Sequence, residues 1–250
     1  MIGARLNHHG QPVGRAVKGW RAPAENPGRG GLTGRYCRLE PLSAERHGPS
    51  LWRAWQAPDN ATREVGDARA RWTYLGGRPF DDLAGCQHWL ALQSGRSDPV
   101  FMAVIDAESG HALGVASWLN LVPESGTIEL GHLSFSAVLS RTRIATEALL
   151  MMASHAFALG YRRLEWKCDA LNAPSRRAAK RLGFTFEGVF RQHRVVAGRN
   201  RDTAWFSLLD HEWRRLEPVY RRWLLSDNFD DEGRQRSSLS TLIQARLHET

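Results

Sequence analysis

Cysteine and long apolar runs are scarce in this sequence. The 250 residues include three cysteines, Cys37, Cys86 and Cys168. Their wide spacing is typical of neither a disulfide framework nor a CxxC metal site. No apolar run approaches the ~18 residues of a membrane helix, and the N-terminus lacks the apolar segment of a signal peptide. We therefore expect a protein of the reducing cytoplasm that makes no membrane contact.

Several catalytic motifs are missing as well. The sequence contains no HExxH, no GxxxxGK[ST], no GxSxG and no GxGxxG after a strand. Zinc hydrolases, NTPases, serine hydrolases and dinucleotide-binding enzymes therefore lack support. His8 and His9 are adjacent, but a histidine pair without further ligands does not make a metal site. We expect no bound metal.

Positive charge is what the chain has in excess. Its formal net charge is +8 and its pI is near 10.1, which favours an acidic partner such as a polyanionic small ligand or nucleic acid. Many of the basic residues fall near the two ends of the chain. We predict a flexible basic arm over residues 1–32, one folded domain over 33–225 and a polar C-terminal tail over 226–250.

The first half of the predicted domain alternates strands and helices. TGRYCRLEPLS predicts a strand, and AERHGPSLWRAWQ a helix that Gly48 and Pro49 interrupt. DDLAGCQHWLALQSG predicts a helix capped by Asp81 or Asp82 and ended by its last glycine. PVFMAVIDAESG and HALGVASWLNLVPESG predict two strands joined by a hairpin turn. Residues 57–80 are expected to be irregular.

The stretch Thr127–Phe186 organises the rest of the chain. TIELGHLSF predicts a strand, IATEALLMMASHAFALG a helix with an apolar stripe, and YRRLEWKCDA a second strand. Because the links are short, the two strands should be parallel, with a right-handed crossover. The turn before the helix places Arg141 and Arg143 beside free backbone donors, a combination suited to phosphate.

The last part of the domain predicts a hairpin and a helix. GVFRQHRVVAGRNRDTAWFSLLD predicts two antiparallel strands joined by the turn GRNRD. HEWRRLEPVYRRWLL predicts a final helix that Pro218 breaks or kinks.

These segments, in this order, resemble the GNAT acyltransferase superfamily, and in particular its branch of ribosomal-protein N-terminal (alanine/serine) acetyltransferases. IELGHLSF is similar to the family's fourth strand, ATEAL to the start of its pyrophosphate-binding helix, NAPSRRAAKRLGF to its N-x-x-S…LGF segment, and FEG with the polar hairpin to its closing strands. The resemblance covers roughly residues 33–213. It implies an α/β (α+β) GNAT fold: a mostly antiparallel, six- to seven-stranded mixed sheet with a parallel pair at the cofactor site and helices on both faces.

The resemblance also implies an activity. GNAT enzymes move an acetyl group from acetyl-CoA to a primary amine, which attacks directly in a ternary complex. An α-amino group with a pKa of ~7.7–8.0 is roughly a tenth neutral at pH 7, whereas a lysine at ~10.4 is far less so, and an N-terminal amine therefore needs less help from a base. The acceptor is a protein N-terminus, a small-molecule amine or a xenobiotic amine. In the last case the pocket is expected to hold Trp52, Trp55, Trp72 and Trp118, and family likeness also makes a homodimer plausible.

Site residues follow from the matched motifs. Glu129 matches the family's catalytic carboxylate, although a surface glutamate paired with an arginine is the alternative reading. His132 is the second candidate base, expected on the opposite face unless a bulge intervenes, and a structural histidine is the favoured alternative. Ser175 matches the residue near the leaving sulfur, with a cap for the helix that continues RRAAKRLG as its alternative role. Asn172 matches the asparagine that binds the cofactor arm, with a place in a turn as its alternative. The resemblance assigns the cofactor's pantetheine arm to the backbone of Leu133, Ser134 and Phe135, and its pyrophosphate to Ser140, Arg141, Thr142, Arg143, Ile144, Ala145 and Thr146.

The pyrophosphate turn departs from the family pattern of Gln or Arg, two residues, Gly, one residue, then Gly or Ala. Ser140 stands in the first of these places and Arg143 in the place of the first glycine. Arg143 either crowds the turn or supplies a charged contact. This departure motivates a second hypothesis, in which the chain is a catalytically weak GNAT-fold module that binds an anionic partner such as RNA. Nucleic acid is the less favoured partner.

Cys168 is expected to be a buried apolar residue, and Arg176, Arg177 and Lys180 to reach the cofactor's 3′-phosphate or face water.

Overall fold

An eight-stranded sheet forms the centre of the computed structural model, which describes residues 5–57, 72–75 and 80–248. Two short strands, β1 (Arg5–Leu6) and β2 (Pro12–Val13), pair separately ahead of it. The main sheet comprises β3 (Leu32–Thr33), β4 (Cys37–Pro41), β5 (Val100–Asp106), β6 (Ala112–Val122), β7 (Thr127–Phe135), β8 (Arg163–Asp169), β9 (Thr185–Val196) and β10 (Arg199–Leu209). Their order is β3-β4-β5-β6-β7-β8-β10-β9, with β7 and β8 parallel and the other neighbours antiparallel. The predicted fold class is confirmed, and the two-residue β3 raises the number of strands to eight.

Helices cover both faces of the sheet. The chain forms α1 (Ala44–Gln56), α2 (Leu83–Gln93), α3 (Arg143–Ala158), α4 (Ala173–Arg181), α5 (Asp210–Trp223) and α6 (Leu239–His248). Side chains of α1 and α2 share one apolar cluster with Phe101, Ala103 and Ile105 of β5. Side chains of the other four helices share a second cluster with Met102 and Val104. β5 is therefore apolar along nearly its whole length because both of its faces are covered.

The β7–α3–β8 unit has the predicted parallel crossover. α3 buries its apolar stripe, and Gly160 follows the helix with a φ of 93°. Pairing of the two strands runs from Thr127 opposite Arg163 to Leu130 opposite Trp166 and ends there. Beyond these four pairs β7 continues to Phe135, so its edge toward β8 is open at the same end of the sheet as the start of α3.

Three local predictions are wrong. α1 is continuous through Gly48 and Pro49; the glycine lets it approach α2, since a Cβ there would come within 2.7 Å of the Gln87 side chain. α5 is likewise not broken at Pro218, because its buried aromatic and leucine side chains hold both halves against the core, and a kink there stays a prediction. The β9–β10 turn consists of residues 197 and 198, whereas the predicted turn GRNRD spans residues 198–202. Val196 already pairs with Arg199, and the two residues between them have positive φ, as in a two-residue type I′ turn.

The predicted arm and tail both contact the folded body. The Ala24 N–H donates to the Pro123 carbonyl, and the Glu25 N–H to that of Leu159. In the C-terminal segment, Leu239 and Ile243 of α6 are buried in the main cluster. The boundaries at residues 32 and 225 stay predictions, and most of the irregular region expected over 57–80 lies outside the described residues. None of the described helices is long and apolar enough to cross a membrane.

Candidate active site

Glu129 lies in β7 just before the end of the parallel pairing. It is 4% exposed, so the surface alternative does not describe it. The Asn120 side-chain amide donates to its Oε2 at 2.7 Å, and Lys167 Nζ of β8 lies 2.6 Å from the same oxygen. Desolvation by burial raises the pKa of Glu129, while Lys167 and Asn120 lower it in part.

A bulge in β6 directs Asn120 toward Glu129. Leu119 pairs with Glu129 and Val122 with Thr127, so β6 carries one extra residue here. Asn120 has a φ of 48°, a conformation that asparagine tolerates better than most residues. The Asp98 carboxylate accepts the backbone N–H groups of Asn120 and Leu121 at 3.0 and 3.1 Å, which fixes the bulge.

A second bulge, in β7, brings His132 to the face that carries Glu129. Ser117 pairs with Gly131 and Val115 with Ser134, and His132 has a φ of 48°. The Ser117 hydroxyl donates to the Gly131 carbonyl and lies 2.9 Å from His132 Nδ1. With that hydroxyl proton committed, Nδ1 must be the donor, which leaves Nε2 of the neutral ring free to accept a proton. Desolvation and the nearby Arg96 lower the pKa of His132, which favours this neutral form.

The backbone after the β7 bulge has one free edge. Ser134 and Phe135 pair with β6 on one side, and the Ser134 carbonyl accepts the Trp55 indole N–H at 3.1 Å. On the side toward β8 no pairing is recorded for Leu133, Ser134 or Phe135 in the described part of the chain. An extended ligand can therefore lie along this edge.

The start of α3 offers backbone donors next to that edge. Thr142 caps the helix, its Oγ1 accepting the Ala145 N–H at 3.1 Å. Within the described residues, the N–H groups of Arg143 and Ile144 have no acceptor. Arg141 has a φ of 66°, and the Ser140 hydroxyl donates to the Ser136 carbonyl. Two amides at a helix N-terminus with positive side chains nearby form a site suited to phosphate.

Arg143 is held against aromatic rings. Its guanidinium carbon lies 4.5 Å from the Tyr36 ring centre and 5.5 Å from that of Phe229. One helical turn on, Thr146 accepts a hydrogen bond from Arg181, whose guanidinium lies 5.4 Å from the Trp223 ring. The arginine in the glycine position is thus packed on the β3–β4 turn and the C-terminal segment.

Asn172 and Ser175 both have structural roles. Asn172 caps α4, accepting the Ser175 N–H at 3.1 Å. The Ser175 hydroxyl accepts the Trp166 indole N–H at 2.9 Å, which places it beside the last paired residue of β8. Cys168 is buried as predicted, and burial raises its pKa. Arg176 donates to the Ala170 carbonyl, whereas Arg177 and Lys180 are exposed.

The sequence did not point to three residues around Glu129. The four tryptophans expected to line one pocket also lie apart. Asn120, Lys167 and Asp98 gave no motif signal; the only clue to Lys167 is its place two residues after Glu165, on the face of β8 that Glu129 shares. The four tryptophans do not form one pocket. Trp118 belongs to the cluster on the opposite face of the sheet from Trp52, Trp55 and Trp72. The described residues contain no cluster of three or more metal-ligating side chains.

A family model described as an acetyltransferase (GNAT) domain matches residues 38–185, more than half of the chain. The chain therefore belongs to the GNAT acetyltransferase family, as its motifs predict.

Solved structures agree with this assignment. A GCN5-related N-acetyltransferase from Brucella melitensis is 44% identical, with a TM-score of 0.84, and the match covers 91% of this chain and 100% of that one. A probable GNAT-family acetyltransferase from Chromobacterium violaceum is 42% identical, with a TM-score of 0.72 and coverage of 82% and 98%. An acetyltransferase from Salmonella typhimurium that modifies the N-terminal serine of ribosomal protein L7/L12 shares the fold at 18% identity, with a TM-score of 0.55 and coverage of 70% and 96%.

Proposed function

We propose that this protein is an N-acetyltransferase that moves the acetyl group of acetyl-CoA to a primary amine by direct attack in a ternary complex. The observation that carries the proposal is the open edge of β7, which lies between the free amides of α3 and the buried Glu129. The three features follow one another along the chain, from Glu129 through the end of β7 to the start of α3, and we propose that one ligand contacts all of them.

The residues present fit the cofactor. The amides of Arg143 and Ile144 would hold the pyrophosphate, with Thr142 fixing the helix start. The backbone of Leu133–Phe135 would pair with the pantetheine arm and polarise the thioester carbonyl. When bound, the cofactor supplies an activated acetyl group and a thiolate leaving group.

The chain's own residues would manage the protons. The nitrogen of the neutral amine forms a bond to the thioester carbonyl carbon, and Glu129, directly or through a water, takes the proton that the nitrogen gives up. As the C–S bond breaks, the Ser175 hydroxyl would give its proton to the thiolate. A thiol with a pKa near ~8.5 needs only modest help. Burial of Glu129 supports this role, because a carboxylate with a raised pKa is the stronger base.

The acceptor class is proposed to be a protein N-terminus or a small-molecule amine. The Salmonella enzyme acts on an N-terminal serine, and an α-amino group is the less demanding acceptor near neutral pH. A cytoplasmic location, suggested by the three unpaired cysteines, and a homodimer belong to the same proposal.

A thermal unfolding series tests the cofactor. The protein should unfold at a clearly higher temperature with acetyl-CoA, and free CoA should reproduce most of the shift, because a ligand at 100 times its Kd adds ~2.7 kcal/mol. Adenosine, which lacks the phosphates and the pantetheine arm, is the control and should give little shift. No shift at millimolar acetyl-CoA would reject the proposal.

One observation favours a second function, the binding of an anionic partner such as RNA. Arg191, Arg194 and Arg199 are exposed near the tip of the β9–β10 hairpin, and the net charge is +8. Binding of a single-stranded RNA probe that weakens steeply with salt would support this function, and no binding at low salt would reject it.

A further inference from the structure

The two oxygens of the Glu129 carboxylate have unequal surroundings. Oε2 contacts both the Asn120 amide at 2.7 Å and Lys167 Nζ at 2.6 Å. Oε1 has no hydrogen bond to any described residue. We propose that Asn120 and Lys167 are positioning residues that hold Oε2, so that Oε1 is the atom that takes the proton from the acceptor amine. This inference rests on the proposed acetyltransferase function.

Oε1 has space beside it because residue 131 is glycine. A Cβ on Gly131 would lie 3.5 Å from Oε1 and 2.8 Å from the Leu119 side chain. Any larger residue would therefore push Leu119 and fill the space next to this oxygen. Since both donors occupy Oε2, the free lone pairs for an incoming N–H lie on Oε1.

Asn120 and Lys167 together form a clamp on Oε2, and Asp98 holds Asn120 in position. Its two carboxylate oxygens accept the N–H groups of Asn120 and Leu121, and these bonds hold the bulge that directs the Asn120 side chain. Asp98 itself makes no hydrogen bond to Glu129. It acts through Asn120, which makes it a positioning residue as well.

Lys167 is the charged residue of the clamp on Oε2. Its side chain is 14% exposed, and Nζ lies 4.5 Å from the Trp205 ring centre, so the ammonium is held between the ring and the carboxylate. Glu165 on β8 also acts on Glu129 and raises its pKa, and Glu165 is itself paired with Arg163. Lys167 is thus the cation that contacts Glu129 directly.

Titration of Glu129 tests the clamp without any substrate. The carboxyl carbon of Glu129, followed by NMR in protein labelled at glutamate and assigned with Glu129→Gln, should titrate at higher pH in Lys167→Met by about 1 to 3 pH units. Both clamp contacts stabilise the ionised form, so Asn120→Ala should move the titration the same way by a smaller amount. Arg221→Met, which removes an exposed cation of α5 on the opposite face of the sheet, should leave it unchanged. An unmoved titration in both clamp variants would overturn the proposal.

A kinetic measurement then separates this inference from the proposed function. With acetyl-CoA and an amine that the wild-type protein acetylates, Asn120→Ala and Lys167→Met should lower kcat by about ten- to a hundredfold, because the base is no longer held in place. The KM for acetyl-CoA should stay within about twofold. Unchanged kcat in both variants would refute the clamp while leaving the acetyltransferase intact. No turnover by the wild-type protein with any amine would instead count against the proposed function, and the titration would still report on the clamp.

Discussion

Glu129 and Glu147 are both buried, and their partners separate their roles. Glu147 of α3 accepts the backbone N–H groups of Arg35, Tyr36 and Cys37 at 2.8, 2.6 and 2.9 Å. These backbone donors stabilise the carboxylate and tie α3 to the β3–β4 turn. Glu129 keeps one oxygen without a partner. A carboxylate with all its acceptors used stabilises the fold, whereas one with a free oxygen is available for chemistry.

Replacement of Glu147 should therefore destabilise the protein. Glu147→Gln would place an amide NH₂ among backbone N–H groups and leave at least one buried donor unpaired, at a cost of about 2 to 4 kcal/mol of unfolding free energy. Urea unfolding at equal m-value measures the loss. Glu217→Gln is the matched control, because Glu217 pairs with Arg221 at the surface and should lose less than about 0.5 kcal/mol. Equal losses in the two variants would contradict the assignment.

The two candidate bases can be distinguished by one pair of variants. If Glu129 takes the proton, Glu129→Gln should lower kcat by about 10²- to 10⁴-fold, and His132→Gln should have a much smaller effect. Both variants should keep the thermal shift with acetyl-CoA, since neither residue belongs to the proposed cofactor contacts. The opposite ranking would assign the base to His132 Nε2.

Residue identity could be predicted here, but residue pairing could not. Glu129, Asn172 and Ser175 stand out because their motifs occur in order along the chain. Lys167 has no motif, and its contact with Glu129 depends on the register of β7 against β8, which separate segments of sequence do not determine. The helix cap expected at Ser175 is instead Asn172, while Ser175 lies inside α4 and accepts the Trp166 indole N–H. The cofactor roles of both residues stay predictions.

At the scale of elements, two bulges shape the site. Both occur on the β6–β7 pair, and each contains a residue with a φ of 48°, Asn120 in one strand and His132 in the other. Simple alternation along β7 predicts that Glu129 and His132 face opposite ways, and the bulge reverses this for His132. Alternation is reliable only where both strands keep the same residue count.

Gly183, in the LGF motif after α4, packs closely against α5. It has a φ of 83°, and a Cβ there would lie 2.8 Å from Leu216 and 3.0 Å from the Tyr220 hydroxyl. Gly183→Ala should cost about 1 to 2 kcal/mol for the left-handed backbone and about 1 to 3 kcal/mol more for overpacking. Chemical unfolding against Gly198→Ala tests this, because Gly198 has a φ of 74° with nothing within 4 Å and should show the backbone cost alone. Equal losses would mean that the packing contact carries no energy.

Helix continuity illustrates where local rules fail. Pro49 and Pro218 are each expected to interrupt a helix, yet α1 and α5 pass through them. One missing N–H costs about 3 kcal/mol, which the buried faces of the two helices offset. β4 to β8 and the helices α2 and α3, whose patterns agree with their burial, form where the sequence predicts them, whereas β1, β2 and α6 lie in the stretches predicted to be arm and tail.

At the scale of the whole molecule, the C-terminal segment reaches Arg143 at the start of α3, in the proposed cofactor site. Phe229 lies in that segment and packs against Tyr36, Trp223 and the Arg143 guanidinium. The compositional change at residue 226 suggests a tail separate from the domain. Composition alone could not reveal this contact, because it depends on how the chain returns to α3.

Loss of the Phe229 ring should therefore weaken cofactor binding. Phe229→Leu removes a cation–π contact worth about 0.5 to 1 kcal/mol and should raise the Kd for CoA about two- to fivefold, measured by calorimetry. Phe157→Leu is the control, because Phe157 stacks on Trp213 and contacts no arginine in the described structure. An unchanged Kd in Phe229→Leu would show that Arg143 does not depend on its aromatic support.

The short parallel pairing has a consequence for the sheet as a mechanical unit. Strands β3 to β7 are joined to β8, β10 and β9 by only four residue pairs. A ligand backbone lying along the free edge of β7 would replace the hydrogen bonds that a longer β8 would have made there. The bound cofactor would take the place of a strand between the two parts of the sheet. Cofactor binding would then also complete the hydrogen bonding of the sheet.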